Sequence, residues 1–81
     1  PPHSTGGAID VTLVDRSGAP VDMGSEIDQS GPVQLPDHFM KLNPVIHRRR
    51  ELLTATMAHA GFAPLLHEWW HFSYGDRHWA L

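Results

Sequence analysis

Residues 67–71 read His67-Glu68-Trp69-Trp70-His71. Two histidines bracket a glutamate at the HExxH spacing that zinc proteases carry on a helix, where histidines four apart share a face and the glutamate is the general base. The surroundings do not favour a helix. Trp69, Trp70, Phe72 and Tyr74 form an aromatic run bounded by the turn pair Gly75-Asp76, which is the composition of a strand over 66–74. On a strand His67 and His71 lie too far apart along the chain to grip one ion at about 2.0–2.1 Å without a bend. A strand therefore needs ligands from elsewhere.

The opening segment "PPHSTGGAID" can supply them. His3 and Asp10 are separated by Gly6-Gly7, a pair that lets the chain fold back and bring a loop histidine to a strand aspartate. His3, Asp10 and His71 would then form a three-ligand zinc set with a fourth position open to water, and Glu68 would stand near that water as general base. The alternative keeps a helix and uses His67 with His71. The chain has no cysteine, so either site rests on histidine and carboxylate alone, and disulfides and cysteine nucleophiles are excluded.

The elements that must position these residues are few. "AIDVTLV", residues 8–14, alternates Ile9, Val11 and Leu13 with Asp10 and Thr12, the pattern of a strand with one buried face. "DRSGAP" turns the chain. Residues 21–41, rich in Gly, Pro, Ser and Asp, read as a long irregular connection of the kind that lines a site. Asn43-Pro44 predicts a helix over 44–60, with asparagine as N-cap and proline in the first turn. Ile46, Leu53, Met57 and Ala60 make its apolar stripe, with Val45 and Leu52 beside it, and Arg48, Arg50, Glu51 and His59 fall mainly outside it. Gly61 ends the helix and Pro64 blocks a restart. The expected fold is α+β: a small antiparallel sheet with one main helix packed on it, and the zinc site between the sheet and the 21–41 loop.

Composition narrows the function. The chain has 81 residues, 41% hydrophobic and 19% charged, with a formal net charge of −3, so a globular domain is expected and nucleic-acid binding is not. The basic run His47-Arg48-Arg49-Arg50 reads as the solvated face of a helix. No apolar run approaches the length of a transmembrane helix, so no membrane partner is expected. The first residue is not methionine and the N-terminus lacks the features of a signal peptide, so a fragment of a longer protein is expected. The compartment is left open.

The two site motifs also carry a resemblance. "HSTGGAID" is similar to the HxxGxAxD pattern, and "EWWH" to the ExxH pattern, of the D-Ala-D-Ala dipeptidases, zinc enzymes linked to vancomycin resistance and cell-wall peptidoglycan. "VDMGSEID" resembles that family's MGSxFD segment, and "HRRRELLTATMAHAGFAPLLHEWWHF" its last helix and following strand, so the resemblance covers nearly the whole chain. It implies that residues 1–81 are the C-terminal zinc-binding portion of a larger catalytic domain. It implies one Zn²⁺ held by His3, Asp10 and His71, Glu68 as general base, and Asp28 as the group that receives the amino end of a D-Ala-D-Ala-type dipeptide. His67 is no ligand in that scheme.

The sequence departs from the family at Pro1, where a serine often stands. The family's carbonyl-stabilising arginine precedes the first motif, and none of Arg16, Arg48, Arg49, Arg50 or Arg77 matches it. The chain is therefore expected to lack a partner segment of the same protein and to be incomplete as a catalyst. Two other readings remain: a helical zincin-type protease using His67 and His71, and a non-catalytic binding module on the same fold. Glu68, set among tryptophans where an unpaired charge is costly, favours catalysis.

Overall fold

The structure, a computed structural model, describes residues 7–74. His3 and the expected Gly75-Asp76 turn lie outside the described residues. Among the described residues three antiparallel strands form one sheet: β1 (Gly7–Asp10), β2 (Ala63–Pro64) and β3 (His71–Tyr74), in the order β1-β3-β2. β3 thus lies between the other two. A helix, α1 (Pro44–His59), packs against β2, and a short 3₁₀ turn occupies Pro32–Gln34. This is the expected α+β arrangement of a small antiparallel sheet and one main helix.

α1 forms where local chemistry requires it. The Asn43 side chain accepts a hydrogen bond from the Ile46 N–H (3.3 Å), satisfying one of the orphan donors of the first turn. At the other end Gly61 takes φ +98°, a left-handed conformation that glycine adopts without a Cβ penalty. The Phe62 N–H then returns to the Met57 carbonyl (2.9 Å), closing the helix.

The strands are shorter than the alternation in the sequence suggests. β1 ends at Asp10 instead of continuing to Val14, because its partner β3 begins at His71 and the chain before that residue turns away. One further bond, from the Val11 N–H to the Trp70 carbonyl (2.9 Å), completes the pairing. Beyond it Val14 bridges Pro20 across a tight turn. Ile9, expected to be buried, is 41% exposed. Residues 66–70 are turns, not the first half of a strand and not a helix.

The core comprises Met23, Leu53, Trp69, Trp70 and Phe72, with Val11, Leu13, Val21, Ile27, Met57 and Phe62 packed against it. The 21–41 connection therefore contributes apolar anchors despite its irregular backbone. Arg50 corrects the sequence reading: it is 2% exposed, in line with Ile46, Leu53 and Met57 at helical spacing, so the basic run is not a uniformly solvated face.

Candidate active site

Asp10 and His71 are direct cross-strand partners in the antiparallel register, as are Ile9 and Phe72 one step along. Because side chains alternate across a strand, the Ile9–Phe72 pair and the Asp10–His71 pair face opposite sides of the sheet. Phe72 is fully buried. On the other side His71 Nδ1 lies 3.0 Å from Asp10 Oδ1, at a surface where Asp10 is exposed and His71 half-buried. Two residues 61 positions apart thus meet through register alone.

Glu68 joins them from the turn that precedes β3. Its Oε1 lies 3.8 Å from His71 Nδ1. In a continuous strand residues 68 and 71 would face opposite sides, but the chain bends between them and the His71 N–H approaches the Glu68 carbonyl at 3.5 Å. The tryptophans between them supply the bend's anchor, both buried and stacked edge to face with ring centroids 5.5 Å apart. Glu68 also borders a cleft of about 480 Å³ whose walls include Pro36, Ala58, Leu65, Leu66 and Trp69. A larger cleft of about 630 Å³ opens beside Asp22, Ser25, Glu26 and Trp69, and neither Asp10, Glu68 nor His71 lines it.

The remaining expected site residues stand differently. Asp28 is exposed and, among the described residues, the only non-glycine with positive φ (70°). A left-handed backbone at a residue with a Cβ stores conformational energy, tolerated best by Asp and Asn, and such positions concentrate at functional sites. No hydrogen bond joins Asp28 to Asp10, Glu68 or His71 among the described residues. His67 is exposed in a turn, so no helical HExxH face exists. Of the 21–41 loop, Met23 belongs to the core cluster that holds Phe72, while Pro36 and Asp37 line the cleft that Glu68 borders.

The donor set fits a zinc ion in chemistry and spacing. Two ligands each about 2.0–2.1 Å from a tetrahedral metal lie roughly 3.3 Å from each other, close to the Asp10–His71 separation of 3.0 Å. An imidazole nitrogen and a carboxylate oxygen are common zinc donors. Among the described residues no three His, Asp or Glu side chains converge as a complete metal set, and His3 lies outside them.

Sequence reasoning missed Arg50, which ties the site's loops together. Its Nε donates to the Met23 carbonyl (2.7 Å) and its Nη1 to the Leu35 carbonyl (3.0 Å). Its guanidinium carbon sits 4.8 Å from the Phe39 ring centroid and 5.3 Å from that of Trp69. Burial pulls its pKa down to about 10, opposed by the charge of Asp22, so the group is still a cation at neutral pH. The available signal was its position four residues after Ile46 and three before Leu53.

Comparison with known proteins agrees with the geometry. A family profile described as D-ala-D-ala dipeptidase matches residues 1–80. A protein of Synechocystis sp. named D-alanyl-D-alanine dipeptidase is 48% identical over 99% of this chain, which covers 36% of that relative. One of the same name from Escherichia coli is 41% identical over 86% of this chain, again covering 36% of the relative. The chain thus spans little more than a third of the length of these curated relatives. No solved structure matches it significantly. With both motifs inside the matched span and the second delivering His71 to Asp10, the chain belongs to the D-ala-D-ala dipeptidase family.

Proposed function

We propose that the protein carrying this chain is a zinc metallopeptidase that hydrolyses D-alanyl-D-alanine-type dipeptides, with His3, Asp10 and His71 holding one Zn²⁺. The observation that carries this reading is the Asp10–His71 pair, 3.0 Å apart on an accessible face with the Glu68 carboxylate beside it. Family membership and the names of the relatives support the substrate class.

Zinc, when bound, would polarise the scissile carbonyl and acidify a water toward a pKa of about 7. The chain's own residues do the rest. Glu68 takes the proton of the attacking water and hands it to the amine nitrogen as the C–N bond breaks, so no covalent intermediate forms. Asp28, exposed in its loop with a left-handed backbone, pairs with the substrate's ammonium group and so measures the length of a two-residue substrate. The cleft beside Glu68 offers apolar walls for small side chains. Among the described residues no helix is long and apolar enough to cross a membrane.

The test combines a competitive zinc titration with a dipeptide hydrolysis assay on the natural protein that contains this sequence. Glu68→Gln should lower hydrolysis by about 10²–10⁴-fold with zinc still bound. Asp10→Asn should weaken zinc by at least about tenfold, and His67→Ala should leave it nearly unchanged. Full activity in Glu68→Gln, or unaltered zinc affinity in Asp10→Asn, would remove the basis of the reading.

A further inference from the structure

Glu68 and Asp28 sit on separate loops, and neither residue lies in a strand or a helix that could hold it. Their relative placement must come from side chains that reach both. Three connections do so. Arg50 grips the 21–41 connection at two points, Met23 and Leu35, through its buried fork. The same guanidinium packs over the ring of Trp69, the residue after Glu68. Trp69 in turn donates its indole Nε1–H to Ser25 Oγ (2.8 Å) and its backbone N–H to the Gln34 carbonyl (2.9 Å).

Resting on the dipeptidase reading, we propose that Arg50 and Ser25 are positioning residues that lock the loop carrying Asp28 to the turn carrying Glu68, fixing the distance between substrate amine and general base. The chemistry of the clamp suits that task. A planar guanidinium fixes two carbonyls and a ring in one geometry, which an ammonium on a flexible stem does not. The clamp is not saturated: Arg50 Nη2 is buried without a partner among the described residues. Burying a guanidinium with one orphan donor costs stability, a cost that fits a group kept for the geometry it imposes. Among the described residues no hydrogen bond joins Arg50 or Ser25 to Asp10 or His71, so zinc affinity is expected to survive their replacement.

Two variants test the clamp in the natural protein, Arg50→Lys and Ser25→Ala, read by amide hydrogen exchange, zinc affinity, kcat and KM. In Arg50→Lys, exchange at Met23, Gln34 and Trp69 should rise by about tenfold or more while the mid-helix amides of α1 stay protected. kcat/KM should fall by about 10²-fold, with KM raised and kcat lowered, and zinc affinity should stay within twofold. Ser25→Ala cuts only the indole bond. It should speed exchange of the Trp69 indole N–H and lower kcat more than it raises KM. Should Arg50→Lys fail to fold, Ser25→Ala decides. Kinetic constants within twofold of the parent's in the folded variants, or exchange unchanged in both loops, would overturn the proposal. If the parent protein hydrolyses no dipeptide, the dipeptidase reading fails on its own, and exchange still decides whether the two loops are clamped.

Discussion

On one side of the β1–β3 pair Phe72 is sealed from solvent among Met23, Leu53 and Trp70; on the other, one residue earlier, His71 meets Asp10 at an accessible surface. Neighbours in the chain thus serve opposite ends. The buried side supplies the free energy that sets the register, and the open side spends none of it on packing, so its polar groups are free to bind. The lesson is a division of labour within a four-residue strand: Phe72 fixes where β3 lies, and β3 then carries His71 to Asp10 without any contact of its own making.

That division predicts unequal costs for adjacent residues. Phe72→Ala should cost about 3–5 kcal/mol, the range for emptying a buried aromatic site. A lowered urea midpoint of the natural protein that contains this sequence would show it. Asp10→Asn, one register step away, should change the stability of the zinc-free protein by no more than about 0.5 kcal/mol, as for a surface substitution. Comparable losses in the two variants would mean that the open side also holds the fold.

A second contrast lies within the buried side, between apolar packing and the Arg50 clamp. Gly24 sharpens it. Its φ is +90°, and a Cβ there would meet Phe39 Cε2 at 2.5 Å, Ile46 Cγ2 at 2.8 Å and Arg50 Nη2 at 3.0 Å. Gly24→Ala should therefore destabilise by about 1–3 kcal/mol, from backbone strain and overpacking together, as measured by thermal unfolding. Because the intruding methyl presses on the clamp, it should also lower hydrolysis more than its stability loss explains. A Gly24→Ala protein as stable as its parent would show that this contact is loose.

The sheet's open side and the helix were legible in the sequence for local reasons. Asn43-Pro44 and Gly61 mark the ends of α1 by their own conformational preferences, and Asp10 and His71, one from each site motif, stand in the strands that pair. The clamp was not legible. Arg50 lies in a run of charges, and its partners are the carbonyls of Met23 and Leu35, 27 and 15 residues away; every residue has a carbonyl, so nothing in the sequence marks those two. The end of β1 was hidden for the same kind of reason, since a strand stops where its partner stops and not where its own alternation does. The position of Glu68 depended on a bend at the tryptophans, which their aromatic character alone reads as strand.

The smallest effect expected lies at the far end of β1, where the Val14–Pro20 bridge closes a turn held by one carboxylate. Asp15 Oδ1 accepts from Ser17 Oγ (2.6 Å), the Ser17 N–H (2.8 Å) and the Ala19 N–H (3.1 Å). These bonds, the Ser17 hydroxyl foremost, hold its pKa below the ordinary 3.8. A carboxylate whose folded pKa is depressed gives stability that is present above 3.8 and lost as pH falls through the folded value. Asp15→Asn should therefore lose a small part of its stability at neutral pH, and the difference from the parent should vanish in acid below that window. Because Asp15 is solvent-exposed and its side-chain hydrogen bonds stay within its own turn, hydrolysis and zinc affinity should be unchanged. A variant gap that stays constant through acid titration would show that the turn is held by backbone shape and not by the charge of Asp15.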